Sequence, residues 1–176
     1  FKRPFTFENP MNPIDQGFMG YGQNIMKLSG FTDRVGEHSS NGRDIGVQLQ
    51  GDLFKTSSGR PLVHYQVGVF NGQGINTKDV DNQKDVIGGL WVMPVAGLRI
   101  GAFGWTGSYA RKGENGVVSL PKRRYAISGE YVVDDWTFRS EYIHSTGFGF
   151  KTTYNSDEII RQVIRLTAST PWLLLR

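Results

Sequence analysis

The stretch RDIGVQLQGDLF, Arg43 to Phe54, decides the fold, because apolar and polar side chains alternate along it. Successive side chains of a β-strand point to opposite faces of the sheet, whereas a helix would scatter these residues around its axis. The stretch therefore predicts a strand with one apolar and one polar face. The apolar positions are Ile45, Val47, Leu49 and Leu53, and the polar positions are Gln48, Gln50 and Asp52.

Two environments suit such a strand. In a soluble sandwich the apolar face packs into the core and the polar face meets solvent. In an outer-membrane barrel the apolar face meets lipid and the polar face lines a wet lumen. The alternation alone leaves both environments open.

The composition agrees with a β-rich chain and does not separate the two environments. Of the 176 residues, 23 are glycine and none is cysteine, which fits tight bends without a disulfide framework. A mean hydropathy of -0.36 resembles that of a soluble protein. Half of each barrel strand faces a polar lumen, however, so a membrane barrel needs no long apolar run. The net charge of +4 is only mildly basic, and the basic residues are spread along the chain.

Seven strands are predicted, and the connections between them alternate in length. A long loop, a short turn, a long loop and so on follow one another along the chain, with Asp134 and Asp135 forming the tightest turn. Membrane meanders have tight periplasmic turns and longer outer loops, whereas soluble sandwiches mix connection lengths. The alternation of long and short connections therefore favours a membrane barrel. The predicted strands are 1–7, 44–54, 62–70, 86–94, 98–110, 124–133 and 136–145, and the predicted long loops are 8–43, 71–85, 111–122 and the segment from 147 onward.

Aromatic side chains on the apolar faces of these strands point the same way. Tyr65, Tyr125, Tyr131 and Trp136 share the parity of the aliphatic residues, some of them near strand ends. Aromatic residues form girdles at the two membrane interfaces of a barrel.

Four segments in order, FKRPFTFENPMNP, NGRDIGVQLQGDLF, HYQVGVFNGQGIN and KDVIGGLWVMPVAGLRIGAFGWTG, resemble the phosphate-selective porin family (O and P type) of Gram-negative outer membranes. The resemblance runs from residue 1 to about residue 150. It implies an all-β, antiparallel, up-and-down transmembrane barrel with long outer loops and short periplasmic turns, of which the seven strands form a part. Members of the family form trimers of barrels with about 16 strands, each with a loop folded into its own pore. The resemblance thus implies an outer-membrane porin that passes small hydrophilic solutes, anions such as phosphate among them, with lipid as its surroundings and no cofactor.

Function in such a barrel depends on the lumen, where basic side chains replace part of the hydration of a passing anion. Loop 8–43 is long and carries apolar anchors, which predicts a pore-constricting loop. Arg139 lies near Glu130 and Glu141, so structural pairing is favoured for it, and for Arg124, over contact with solute. Arg99 has no acidic residue in its own strand, which makes it the better lumen candidate. The candidate anion-contacting residues are Arg99, Lys27, Arg34, Arg43, Arg124 and Arg139.

The ends of the chain depart from this pattern. The chain begins at Phe1 without a recognisable signal peptide and reads as a fragment that starts inside a strand. Segment 151–176 loses the alternation and does not resemble the next strand of the family. A truncated or frame-shifted reading and an ordinary divergent strand or short helix are the alternatives there.

No pattern of enzymatic, metal-binding or nucleic-acid chemistry stands out. The histidines are isolated, and the acidic run DVDNQKD, with Asp79, Asp81 and Asp85, lacks the glycine and terminal glutamate of a calcium loop, so a solvated outer loop is expected. The chain is therefore predicted to be neither an enzyme nor a nucleic-acid-binding protein.

One alternative remains, a soluble or surface-exposed β-domain that binds a ligand or a protein. The two hypotheses differ in what the apolar face meets. In the barrel Val47, Val67 and Phe138 contact lipid, whereas in the soluble domain they contact one another.

Overall fold

The computed structural model describes residues 1–12, 42–75, 77–113, 116–147, 160–161 and 167–169. These residues are all-β, and no helix occurs among them. Six long strands and two short segments form one sheet. The strands are β1 (Gly46–Lys55), β2 (Pro61–Phe70), β3 (Asp85–Val92), β4 (Leu98–Gly113), β5 (Gly116–Val133), β6 (Trp136–Gly147), β7 (Ile160–Arg161) and β8 (Thr167–Ser169).

The sheet is an antiparallel meander. From β1 to β6 each strand pairs with the next along the chain, and both β7 and β8 pair with β6. Over the described residues the sheet is open, because β1 pairs only with β2. Within the same residues no helix is long and apolar enough to span a membrane.

The predicted strand at Phe1 to Phe7 is wrong. Only Lys2 forms an isolated bridge, with Arg43, and the chain turns over residues 6–10. Local turn chemistry overrides the alternation here. The side-chain amide of Asn9 donates to the carbonyl of Arg3 at 2.6 Å, and Thr6 has a positive φ of 66°.

The predicted long loop over residues 111–122 is also wrong, because most of it continues β4 and β5. The two strands pair from Leu98 with Tyr131 as far as Gly113 with Gly116. Pro121 had suggested a break in the strand. The last pair between β5 and β6 joins Lys122 to Gly147, and Pro121 lies one residue beyond it. The missing N–H of Pro121 therefore removes no hydrogen bond from the β5–β6 ladder.

Residues 1–12 lie across one face of the sheet, which we call the inner face; the opposite face is the outer face. The aromatic core forms between this segment and the inner face, and its members include Phe5, Phe103 and Trp105. The outer face carries the apolar side chains of the alternating pattern, and they are exposed. They include Ile45 (64% exposed), Val47 (79%), Leu49 (62%), Val67 (44%), Leu90 (51%), Ile127 (54%) and Phe138 (42%).

Candidate functional site

The inner face carries buried charged side chains, and a buried ion pair fixes segment 1–12 to this face. The guanidinium of Arg3 donates to Oδ2 of Asp44 through Nη2 at 2.8 Å and through Nε at 3.1 Å. Both side chains are almost fully buried. Asp44 also accepts from the backbone N–H of Gly72 at 3.0 Å, so the carboxylate ties the segment to the connection that follows β2.

Two phenylalanines of the segment pack edge-on against the sheet. The Phe5 ring lies 5.5 Å from the Trp105 ring, centroid to centroid. The Phe7 ring lies 5.5 Å from Trp91 and 5.3 Å from Phe103. Because Phe5 and Phe7 are buried, these ring contacts add an apolar component to the docking of the segment.

Trp105 is surrounded by cations. Arg124 lies 4.5 Å from its ring centroid, Lys122 lies 5.0 Å away, and Arg3 lies 5.2 Å away. Asp85 balances part of this charge, because its Oδ2 accepts from the indole N–H at 2.8 Å and lies 2.6 Å from the ammonium of Lys122. Asp85 is 1% exposed, so its prediction as a solvated loop residue is wrong. It begins β3 and faces inward.

A second charged group crosses β4, β5 and β6 in a single row. Arg99 pairs with Glu130, which pairs with Arg139 in the register of the sheet. Arg99 Nε lies 2.7 Å from one carboxylate oxygen of Glu130, and Nη2 of Arg139 lies 2.5 Å from the other. Arg139 thus has the partner predicted for it. Arg99 also pairs with Glu130. Because Glu130 lies on β5, the residues of the strand that contains Arg99 gave no indication of this pair.

Glu141 holds the segment rather than a neighbouring arginine. Its Oε1 accepts from the backbone N–H groups of Phe7 at 3.1 Å and Glu8 at 3.3 Å. The hydroxyl of Ser128 donates to the same oxygen at 3.2 Å. The carboxylate therefore acts as an anchor for the turn that follows Phe7.

The remaining predicted basic residues differ in position. Arg124 is buried, and its Nε donates to the hydroxyl of Ser145 at 3.2 Å. Arg43 has an exposed side chain just before β1. Lys27 and Arg34 lie outside the described residues, as do most of the predicted constricting loop 8–43 and most of segment 151–176.

The inner face of β1 and the adjoining part of β2 remain more open than the rest. Nε2 of Gln48 donates to Oε1 of Gln50 at 2.8 Å. Nδ1 of His64 lies 2.6 Å from Oδ1 of Asp52, and the imidazole stacks on the indole of Trp91 with 4.1 Å between ring centroids. Gln50 and Asp52 are exposed, whereas Gln48 and His64 are partly buried.

Sequence reasoning identified the polar parity of these strands but missed the contributions of Arg3, Asp44, Asp85, Trp105 and Lys122. The alternation places Trp105 and Lys122 on the same face as Arg124, so the parity signal was present. Nothing in the sequence indicates that the first residues of the chain pack across β2 to β6.

The described residues contain no group of three or more histidine, cysteine, aspartate or glutamate side chains arranged to hold a metal ion. Comparisons of the chain with family models, with curated proteins and with solved structures find no match. What these findings define is an open, antiparallel, all-β sheet with a polar, partly covered inner face and an apolar, exposed outer face.

Proposed function

We propose that the chain forms part of an outer-membrane β-barrel through which small hydrophilic solutes diffuse passively. The observation that carries this proposal is the direction of burial. Charged side chains such as Lys122 (4% exposed) and Glu130 (8%) are buried on the inner face, whereas aliphatic ones such as Val47 and Ile127 are exposed on the outer face. An apolar face of this extent is unusual for a soluble monomer but is what a lipid-facing barrel wall requires.

The length of the apolar band supports this placement. On β1 and the residue before it, the outward positions from Ile45 to Leu53 span about 27 Å at ~3.4 Å per residue. A tilt of about 40° reduces this to roughly 20 Å along the membrane normal, close to the ~25 Å apolar band of known barrels.

The connections support it as well. Residues 56–60, 93–97 and 134–135 connect strands at one end of the sheet by short turns, and the longer connection 71–84 lies at the other end together with the tip of the extended β4–β5 hairpin. Tyr131 and Trp136 face outward near the short-turn end. Outer-membrane barrels have short turns at their periplasmic end and aromatic girdles at the membrane interfaces, which supports the proposal.

Two parts of the proposal rest on the porin resemblance: the passage of anions, including phosphate, and the assembly into a homotrimer. Arg99 and Arg139 share Glu130, and Arg124 stacks on Trp105. Direct contacts with an anion would therefore rest most heavily on Arg43, and on Lys27 and Arg34.

Single-channel recording in planar bilayers tests the proposal, with the product of the complete gene refolded in detergent. Stable, uniform conductance steps are the expected result, and the reversal potential under a KCl gradient gives the sign of the selectivity. Silence from protein whose β-structure is verified by circular dichroism would overturn the porin proposal and favour a soluble or surface-exposed binding domain.

A further inference from the structure

The part of the inner face that segment 1–12 leaves open differs in chemistry from the part that it covers. Gln66 marks the boundary, because its Nε2 donates to the carbonyl of Pro4 at 3.2 Å and the residue is buried. Beyond it, towards the edge of β1 that is unpaired within the described residues, lies a strip formed by Gln48, Gln50, Asp52 and His64, which we call the amide strip.

The amide strip is ordered by its own contacts. The two carboxamides are joined by a hydrogen bond of 2.8 Å. Asp52 and His64 are cross-strand partners joined at 2.6 Å, and Trp91, the next residue in the same row, supports the imidazole from β3. Side chains held in this way present polar groups at fixed positions, which lowers the entropic cost of binding a solute.

The chemistry of the strip suits one class of solute better than another. A carboxamide offers both a donor and an acceptor, as a hydroxyl group of a solute does. The strip contains no arginine or lysine, and its exposed carboxylate, that of Asp52, repels anions. By contrast, the cations Arg3, Lys122 and Arg99 lie against the carboxylates of Asp44, Asp85 and Glu130, respectively.

We propose that the amide strip is a solute-contacting wall of the channel and that it favours uncharged, hydroxyl-bearing solutes over anions. This inference rests on the proposed porin function and names a solute class for it. Asp52 is the residue that sets the discrimination against anions, and Gln48 and Gln50 supply the hydrogen bonds to hydroxyl groups.

Liposome swelling with the complete gene product tests the inference, with glucose and inorganic phosphate as the two solutes. The phosphate-to-glucose rate ratio of the wild-type channel is the reference value. Asp52→Asn removes one wall charge and keeps the shape of the side chain, so the phosphate-to-glucose rate ratio is expected to rise about two- to threefold. Asp135→Asn, an exposed position in the turn between β5 and β6, is the matched control and leaves the ratio unchanged.

A double variant, Gln48→Leu with Gln50→Leu, separates the hydrogen-bonding role from the charge. It is expected to slow glucose and to leave phosphate nearly unchanged. An unchanged phosphate-to-glucose ratio in Asp52→Asn, with glucose unaffected in the double variant, would overturn the inference and leave the porin function standing. No swelling with either solute from folded protein would overturn the porin function itself, and the inference with it.

Discussion

Phe7 lies directly over Gly101, so that a Cβ placed on Gly101 would stand 3.0 Å from Cζ of the phenylalanine ring. The guanidinium of Arg99 covers the same ring at 4.3 Å from its centroid. Because Gly101 has no side chain, Phe7 of the N-terminal segment can pack against β4. Arg99, from the charged row that includes Glu130 and Arg139, then covers the phenylalanine ring.

Replacing Gly101 with valine is expected to crowd Trp91, whose Cβ would stand 2.8 Å from the new side chain, and to displace Phe7, which loosens segment 1–12. Overpacking of this kind costs about 1–3 kcal/mol. Susceptibility of the segment to a broad-specificity protease and the emission maximum of the tryptophans report the change. Gly104→Val is the control, because a Cβ at Gly104, on the outer face of the same strand, meets nothing within 4 Å. Equal effects of the two substitutions would contradict the assigned packing.

Asp44→Asn is expected to lower the free energy of unfolding by about 3–5 kcal/mol, since it leaves the buried cation of Arg3 without its counter-charge. The midpoint of urea unfolding in detergent measures the loss. Arg3→Met in the Asp44→Asn background should recover part of it, because the uncompensated charge is then gone. A double-mutant cycle with no coupling energy would show that the ion pair does not hold the segment.

Leu49→Arg tests the surroundings of the outer face. Leu49 is 62% exposed, so on a soluble protein the substitution would change stability by about 0.5 kcal/mol or less. Facing lipid near the bilayer centre, it is expected to cost about 2–4 kcal/mol. Urea titration of folding into phospholipid vesicles measures the difference. The control is Gln48→Arg, which places the same charge on the inner face of the same strand. If Gln48→Arg lowered the stability as much as Leu49→Arg does, the result would argue against a lipid-facing outer wall.

The loop between β2 and β3 is expected to keep its contacts in mild acid. A side-chain hydrogen bond from Lys84 is the main cause that lowers the pKa of Asp79, and backbone N–H groups of Asp81 and Asn82 add to it. Because the folded pKa lies below the unfolded one, the stabilisation is present above the unfolded pKa and is lost as pH falls through the folded pKa.

Lys84→Met is expected to raise the pKa of Asp79 towards its ordinary value. The side-chain carboxyl chemical shift of Asp79, followed by NMR during an acid titration, measures it. Lys78→Met serves as the control, since the exposed Lys78 does not appear among the groups that shift Asp79. An unchanged Asp79 titration in Lys84→Met would show that the lysine is not its partner.

The six long strands could be predicted because their signal is local. In β1 and β2 the identity of every second residue fixes both the strand and its two faces, and the structure keeps those faces apart. Residues 1–7 show a similar alternation in Phe1, Phe5 and Phe7, but Pro4 and the turn at Asn9 prevent a continuous strand. Two short-range signals competed there, and the turn prevailed.

The charged groups of the inner face were harder to predict because their partners come from other strands. Whether Arg99 meets Glu130 depends on the register of β4 against β5, which the intervening hairpin sets. Asp85 looked like a loop residue because it follows a polar run, yet its position at the first residue of β3 turns it into the core. Parity along a strand is encoded locally, whereas pairing between strands is not.

The anchoring of segment 1–12 also has a consequence for the order in which the molecule forms. The hydrogen bond from the N–H of Phe7 to Glu141 joins residues that are 134 positions apart. The first residues of the chain can take their final place only after β6, the last long strand among the described residues, has been added to the sheet. Contacts between such distant residues slow folding, because the intervening chain must be closed before they form. We therefore expect the aromatic core under the segment to be the last part of this sheet to assemble.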